Sequence, residues 1–370
     1  MATYGVEKPA KNAPTGTTGN TKFPEINISS FLSPTPWVLV PNGSFMGFFD
    51  GVPAKLRTGP WSNFAPISIL LVLFYLIHSC PDIETYLEDK RSYSTTSSYP
   101  SVMSPLWCYN VLACVFMTSL YVYCSFKRTP FIIVTYTVLS WLMNALRHGI
   151  NATAPFLTDG HPLLVLNELL RLPALLSATT TFVVWWLLLF PFMMLHVMNT
   201  TKKRKDFINW NFEPRMVQLH LCNIIYSIMN TLITCRHPAI TTTTNIPDIL
   251  NTTITTTTTF LESSLSSSST FAYEDVWFVL AYSSLYILFY LFVLDRIGLH
   301  LYPIFSPRSR LCGFFCLVAF AMQFSLYHAW NYLIINHSNI FSIRHLVATY
   351  VSFTFTSFLI PKWNFWDKTA

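Results

Sequence analysis

Long apolar runs separated by short polar segments recur along the chain from about residue 62 onward. A helix needs roughly 20 predominantly apolar residues to cross the ~30 Å hydrocarbon core of a bilayer, and these runs approach that length. They predict eight spans, over about 62–80, 107–125, 130–148, 173–198, 216–234, 276–294, 311–335 and 346–361. The sequence therefore predicts an all-α fold, a polytopic transmembrane helix bundle.

The segments between the runs predict the domain organisation. Residues 1–60 are polar and rich in Thr, Pro, Asn and Gly, which is typical of a disordered region. The Thr/Ser-rich stretch 239–272 cannot build a core and predicts a flexible insertion outside the cytosol. The predicted order is a cytosolic N-terminal region (1–60), a first span with a non-cytosolic loop (61–106), a six-span core (107–335) that contains this insertion, and a last span with a short cytosolic tail (336–370).

Lysine and arginine in the short loops predict the orientation, because such residues accumulate on the cytosolic side. With eight spans, one side of the membrane receives Lys127, Arg128, Lys202, Lys203, Arg204, Lys205, Arg296, Arg308, Arg310, Lys362 and Lys368. The opposite side receives the glycosylation acceptor patterns at Asn151, Asn251 and Asn336. We therefore expect both termini in the cytosol, in an endoplasmic reticulum or plasma membrane.

Composition excludes several classes of function. Of the 370 residues, 52% are hydrophobic and 11% are charged, whereas a soluble domain carries roughly 25% charged residues. The formal net charge of +6 arises from the cytosolic loops, so nucleic acid is not an expected partner. The chain has no phosphate-binding glycine motif, no Cys-x-x-Cys and no His-x-x-x-His, so we expect no nucleotide cofactor and no metal. Histidines near span ends, including His148, are expected to be hydrated.

His220 is the exception among the histidines, because it lies about one turn inside the fifth predicted span. Thr135 lies at a similar depth in the third span, so the two side chains could meet inside the bundle. A threonine hydroxyl becomes a nucleophile when a base takes its proton, and histidine is the usual base. Asn223, one turn from His220, could orient the ring. A structural interpretation, in which these residues only form interhelical hydrogen bonds, remains open.

Three blocks of the sequence carry a resemblance to a known family. They are "VTYTVLSWLMNAL" (134–146), the segment from His220 to Pro238, and "DRIGLHLYPIFSPRSRLCGFF" (295–315). Together they resemble the androgen-induced and androgen-dependent TFPI-regulating membrane protein family over about residues 107–335. Val134-Thr135-Tyr136 is similar to the family's nucleophile motif, and Gly298, Tyr302, Pro303 and Ile304 are similar to its Gly-x-x-x-Tyr-Pro signature.

The resemblance implies a six-span core and a threonine hydrolase that acts on fatty acid esters of hydroxy fatty acids. Thr135 would be the nucleophile and His220 the general base, with Asn223 and Tyr302 in supporting positions. The expected partners are membrane lipids and a lipid-ester substrate, with no cofactor. The alternative is a non-enzymatic multi-pass membrane protein, such as a lipid-binding scaffold, receptor or transporter.

Overall fold

The computed structural model describes residues 61–97, 99–127, 134–198, 200–234, 271–302 and 305–336. Its regular elements are helices, as predicted. In chain order they are α1 Phe64–His78, α2 Ile83–Thr96, α3 Pro105–Lys127, α4 Tyr136–Thr153, α5 Pro162–Leu169, α6 Arg171–Phe182, α7 Thr201–Asn211, α8 Pro214–Val217, α9 Asn223–Thr234, α10 Tyr273–Phe289 and α11 Cys312–Asn336.

Several helices are extended or joined by π-helical turns. Val183–Leu189 and Met193–Val197 prolong α6, Gln218–Cys222 joins α8 to α9, and Tyr290–Leu294 prolongs α10. Such wider turns occur mostly as single interruptions of α-helices, often at functional sites.

Four helices within the described residues are long and apolar enough to cross a membrane. They run over Pro105–Phe126, Pro162–Leu195, Tyr273–Leu294 and Cys312–Ile334. A fifth is possible if α1 and α2, which are bent by 71° at a short break, form one broken span. The chain is thus an all-α membrane protein, but the predicted count of eight spans is not confirmed. The last predicted span and the insertion 239–272 lie outside the described residues, apart from residues 271 and 272.

The span predicted to start at Pro173 is longer than expected, since the apolar helix covers 34 residues from Pro162 to Leu195. Pro173 fits because it lies in the first turn of α6, where the missing backbone N–H has no helical partner to lose. Glu168 and Arg171 pair across one turn where α5 meets α6, with Oε2 and Nη1 3.4 Å apart.

The described parts of the spans predicted over 130–148 and 216–234 are largely helical, but they are more polar than the four long helices. Helix α4 buries Asn144, Arg147, His148 and Asn151, and the α8–α9 segment likewise buries polar side chains such as Asn223. These residues lower the mean hydropathy of both helices. The two helices contact each other, so their polar faces meet inside the bundle rather than in lipid.

Helix α6 is the centre of the bundle and contacts α4, α9, α10 and α11. Its small and apolar residues Ala174, Leu175, Leu176 and Ala178 are each at most 1% exposed, which lets the neighbouring backbones approach closely. The outward faces of the peripheral helices instead expose large apolar side chains. Examples are Leu70, Phe74, Leu112, Leu285 and Phe314. A surface of this kind suits lipid and would promote aggregation in water.

Candidate functional site

A cavity of about 100 Å³ lies between α4, the π-extended parts of α6 and α10, the segment after α10, and α11. It is partly open to the protein surface, and its accessible lining is almost wholly apolar. The residues around it are Tyr136, Thr137, Thr180, Thr181, Val184, Trp185, Leu189, Ser283, Tyr286, Ile287, Tyr290, Leu291, Tyr302, Phe305, Cys316, Ala319, Met322 and Gln323. None of these side chains is charged in its ordinary ionisation state.

Tyrosine hydroxyls fix the shape of the cavity. The Tyr302 hydroxyl accepts a hydrogen bond from the Tyr136 backbone N–H at 3.3 Å, and Tyr286 donates to the Val134 carbonyl at 3.2 Å. Tyr290 donates to the Tyr302 carbonyl at 3.0 Å. Burial raises the pKa of the Tyr302 phenol above its usual range, so the ring stays neutral near neutral pH. These contacts hold the segment after α10 against the beginning of α4.

Thr135 lies at the edge of this site, at the N-cap of α4. Its backbone is extended, and its hydroxyl accepts a hydrogen bond from the Val138 N–H at 3.3 Å. This is the usual way in which a threonine satisfies a free donor at a helix start. The next two residues, Tyr136 and Thr137, line the cavity. Thr135 therefore directly precedes two cavity residues, and its hydroxyl lies at the positive end of the α4 dipole.

His220 lies on the π-helical turn before α9 and is 6% exposed. Its ring stacks on Trp185, with the ring centroids 4.2 Å apart and an angle of 19° between the planes. Nδ1 lies 3.2 Å from the Met216 carbonyl. A carbonyl only accepts hydrogen bonds, so Nδ1 carries the proton and Nε2 is the basic nitrogen of the neutral ring. Trp185 lines the cavity, and His220 packs against it.

Neither predicted catalytic residue is in the cavity lining: Thr135 precedes two lining residues on α4, and His220 packs against the lining residue Trp185. In the described residues no hydrogen bond joins His220 to Thr135, since the ring bonds Met216 and stacks on Trp185. The catalytic pairing of the two residues stays a prediction.

The two predicted supporting residues have different surroundings. Tyr302 lies beside Thr135, because its hydroxyl bonds the N–H of the very next residue, Tyr136. Asn223 instead joins two helices. Its Nδ2 donates to Ser140 Oγ at 3.0 Å, and its Oδ1 accepts from Asn144 Nδ2 at 2.9 Å. Its amide is thus engaged with α4.

Three expectations about single residues are wrong. His300 was expected to be hydrated, but it is 3% exposed and its Nδ1 lies 3.4 Å from Asp295 Oδ1. His148 was expected to be hydrated, but it is 0% exposed and its Nδ1 lies 2.8 Å from Asn110 Oδ1. Asn151 was expected to be a glycosylation acceptor, but it is 0% exposed and its Oδ1 accepts from Asn167 Nδ2 at 2.8 Å. His148 and Asn151 both lie on the polar face of α4, where a glycan could not be attached without opening the bundle.

Sequence reasoning also missed Ser283 and Gln323, which are the polar groups of the cavity wall on α10 and α11. A usable signal existed, since Gln323 ends an apolar run that extends from Cys312 to Met322 in the last described helix. Polar residues inside a span are costly and usually face the bundle interior.

Among the described residues, no group of three or more His, Cys, Asp or Glu side chains is placed to hold a metal ion. Comparison with models of known protein families, with curated protein sequences and with solved structures gives no match. The resemblance described from the sequence remains a prediction.

Proposed function

We propose that this membrane protein binds an uncharged, lipid-like molecule in the tyrosine-lined cavity. The observation that carries the proposal is the lining itself, which is apolar at its surface and has a few polar groups behind it. Ligand sites in proteins commonly combine an apolar wall with a small number of convergent polar groups. An apolar cavity of about 150 Å³ binds benzene. The cavity here, of about 100 Å³, suits one segment of a hydrocarbon chain, and its open side leaves room for the remainder.

The lining argues against an ion or a charged head group inside the cavity. A charge in an apolar environment needs a partner of opposite sign or several hydrogen bonds. No Lys, Arg, His, Asp or Glu side chain lines this cavity. The proposal is tested by measuring whether wild-type protein in nanodiscs binds an uncharged ten-carbon ligand saturably. Purely non-saturable uptake, equal to that of empty nanodiscs, would contradict it.

Hydrolysis of a lipid ester is a second candidate function, favoured by the position of Thr135 at the start of α4, directly before two residues that line the cavity. In this reaction Oγ attacks the ester carbonyl while a base takes the Oγ proton. The alkoxide leaves as an alcohol after it receives that proton, and water then cleaves the acyl-threonine to release the acid. The positive end of the α4 dipole suits a developing oxyanion. In the predicted pair, Nε2 of His220 would be the base that takes the Thr135 proton.

Thr135→Asn is the sharpest test of the hydrolase proposal. Asparagine caps helices as well as threonine does, so α4 keeps its N-cap while the nucleophile is lost. We expect ester hydrolysis and fluorophosphonate labelling to fall to background in Thr135→Asn, and Thr135→Ser to retain part of both. Thr135→Ala should also lose activity, but it should cost about 1 kcal/mol of stability because the cap is removed.

His220→Ala provides the complementary measurement. If Thr135 and His220 act as one unit, each single variant should approach background and the double variant should be no worse. Undiminished probe labelling of folded Thr135→Asn protein would exclude Thr135 as the nucleophile. Lipid binding without any hydrolysis in the wild type would leave the first proposal in place and remove the second.

A further inference from the structure

The amide of Gln323 is a buried polar group whose hydrogen bonding is incomplete. Its side chain is on α11 and lines the cavity, and the residue is 3% exposed. Nε2 donates to the Ser283 hydroxyl at 2.6 Å. The other amide atom, Oε1, is buried and accepts no hydrogen bond from any described residue. An acceptor in this state has lost its hydration without a replacement, which is unfavourable.

Rotating the amide does not remove the problem. In the rotated orientation Oε1 would accept from the Ser283 hydroxyl, and the N–H groups of Nε2 would lack an acceptor instead. Ser283 cannot satisfy both atoms, because its single hydroxyl also lies 3.4 Å from the Tyr136 hydroxyl. In either orientation one polar atom of Gln323 has no hydrogen bond to a described residue and lies just behind the apolar surface of the cavity.

Two further hydroxyls at the same cavity are in the same state. Thr180 and Thr181 lie on α6 and line the cavity, and their Oγ1 atoms are buried with no hydrogen bond to any described residue. Threonine in a membrane helix commonly bonds a carbonyl in the preceding turn, as Thr179 does here with Leu175 at 2.7 Å. Unsatisfied polar atoms from two helices, α6 and α11, therefore lie just behind the apolar surface of the cavity.

We infer that the ligand is a neutral lipid that carries a hydroxyl group, and that this hydroxyl bonds Gln323. The inference depends on the proposed lipid-binding function and specifies its ligand. A hydroxyl both donates and accepts, so it can satisfy the Gln323 amide in either orientation and a threonine hydroxyl as well. A hydrocarbon satisfies none of these atoms, and a carboxylate finds no cation in the lining.

The test compares 1-decanol, decane and decanoate, which have chains of equal length and different polar ends. Their dissociation constants are measured for wild-type protein in nanodiscs and for two variants. Gln323→Leu removes the amide but keeps an apolar side chain in its place. Met322→Leu is the control, because Met322 lines the same cavity without a hydrogen-bonding amide. Each ligand is compared across variants in identical nanodiscs, so its partition into the bilayer cancels.

We expect Gln323→Leu to weaken the binding of 1-decanol by roughly 5- to 10-fold, the range for losing one buried hydrogen bond. Decane should bind both proteins equally, or the variant slightly more tightly. Met322→Leu should affect 1-decanol and decane to the same extent. Decanoate at pH 8 should bind neither the wild type nor either variant.

The alternative outcomes separate this inference from the function on which it depends. If decane and 1-decanol bind saturably and Gln323→Leu changes both alike, the hydroxyl inference is wrong and the lipid-binding function stands. If neither ligand binds saturably, both are wrong. Should Gln323→Leu fail to fold, Gln323→Met offers an unbranched replacement. Thr181→Val removes a second polar atom from the wall and is likewise expected to weaken 1-decanol selectively.

Discussion

Arg308→Met is expected to lower the free energy of unfolding by about 3–5 kcal/mol, the usual cost of leaving one member of a buried ion pair without its partner. Asp295 is 0% exposed, and its Oδ1 lies 2.5 Å from Arg308 Nη1. His300 Nδ1 lies 3.4 Å from the same oxygen. Without the guanidinium, the carboxylate stays buried with much weaker compensation.

The same substitution should weaken ligand binding, because the ion pair closes the segment between α10 and α11. That segment contributes Tyr302 and Phe305 to the cavity. Unfolding titrations in mixed micelles measure the effect, with Arg310→Met as the control. Arg310 is exposed, so its replacement should change stability by no more than about 0.5 kcal/mol. Equal losses in the two variants would show that the buried pair does not hold this segment.

Ala319→Phe is expected to reduce the affinity for an uncharged ten-carbon ligand by at least tenfold, which corresponds to about 1.4 kcal/mol. Ala319 lines the cavity, so a larger side chain at this position occupies the space of the ligand. Filling a cavity restores contacts that its walls lack, although a poor fit costs about 1–3 kcal/mol. The expected signature is loss of binding in a protein that remains folded.

Val318→Phe is the matched control for this prediction. Val318 is the preceding residue on α11, and 41% of it is exposed on the outward side of the helix. The same increase in size there should leave binding unchanged. Equilibrium binding in nanodiscs and thermal unfolding of both variants test the prediction. If Val318→Phe weakened binding as much as Ala319→Phe, the ligand would lie on the lipid-facing surface instead.

The uninterrupted apolar runs predicted the spans well. The runs at 107–125, 276–294 and 311–335 correspond to helices over Pro105–Phe126, Tyr273–Leu294 and Cys312–Ile334. Such runs determine a span by length and transfer free energy alone, independent of tertiary packing. The runs at 130–148 and 216–234 were less informative. Their polar residues are paired between α4 and α9, and a hydropathy pattern read along one segment contains no information about a partner helix.

The polar face of α4 nevertheless left a trace in the sequence. Ser140, Asn144, His148 and Asn151 recur at intervals of four, four and three residues, so they share one face of a helix. Reading that periodicity would have predicted that His148 and Asn151 are buried. His148 was instead expected to be hydrated because it lies near a predicted span end, and Asn151 was placed outside the cytosol because of its Asn-x-Thr pattern.

The site was predictable only in part. Depth along the helices placed Thr135 and His220 at a similar level, and both lie close to the cavity. Their immediate partners depend on tertiary packing, which the spacing of residues along one helix does not encode. Trp185 lies on the π-helical extension of α6, and Tyr302 lies in the segment after α10. The cavity itself arises where five parts of the chain meet, and no local pattern encodes it.

Photo-cross-linking tests most directly whether the cavity holds a lipid. Wild-type protein in nanodiscs is irradiated with a diazirine-bearing analogue of 1-decanol, and the modified residues are located by mass spectrometry. Lipid binding in the cavity predicts labelling of cavity residues such as Met322 and Tyr286, which unlabelled 1-decanol suppresses saturably. Labelling confined to outward residues such as Leu285 and Val318, and insensitive to competitor, would contradict it.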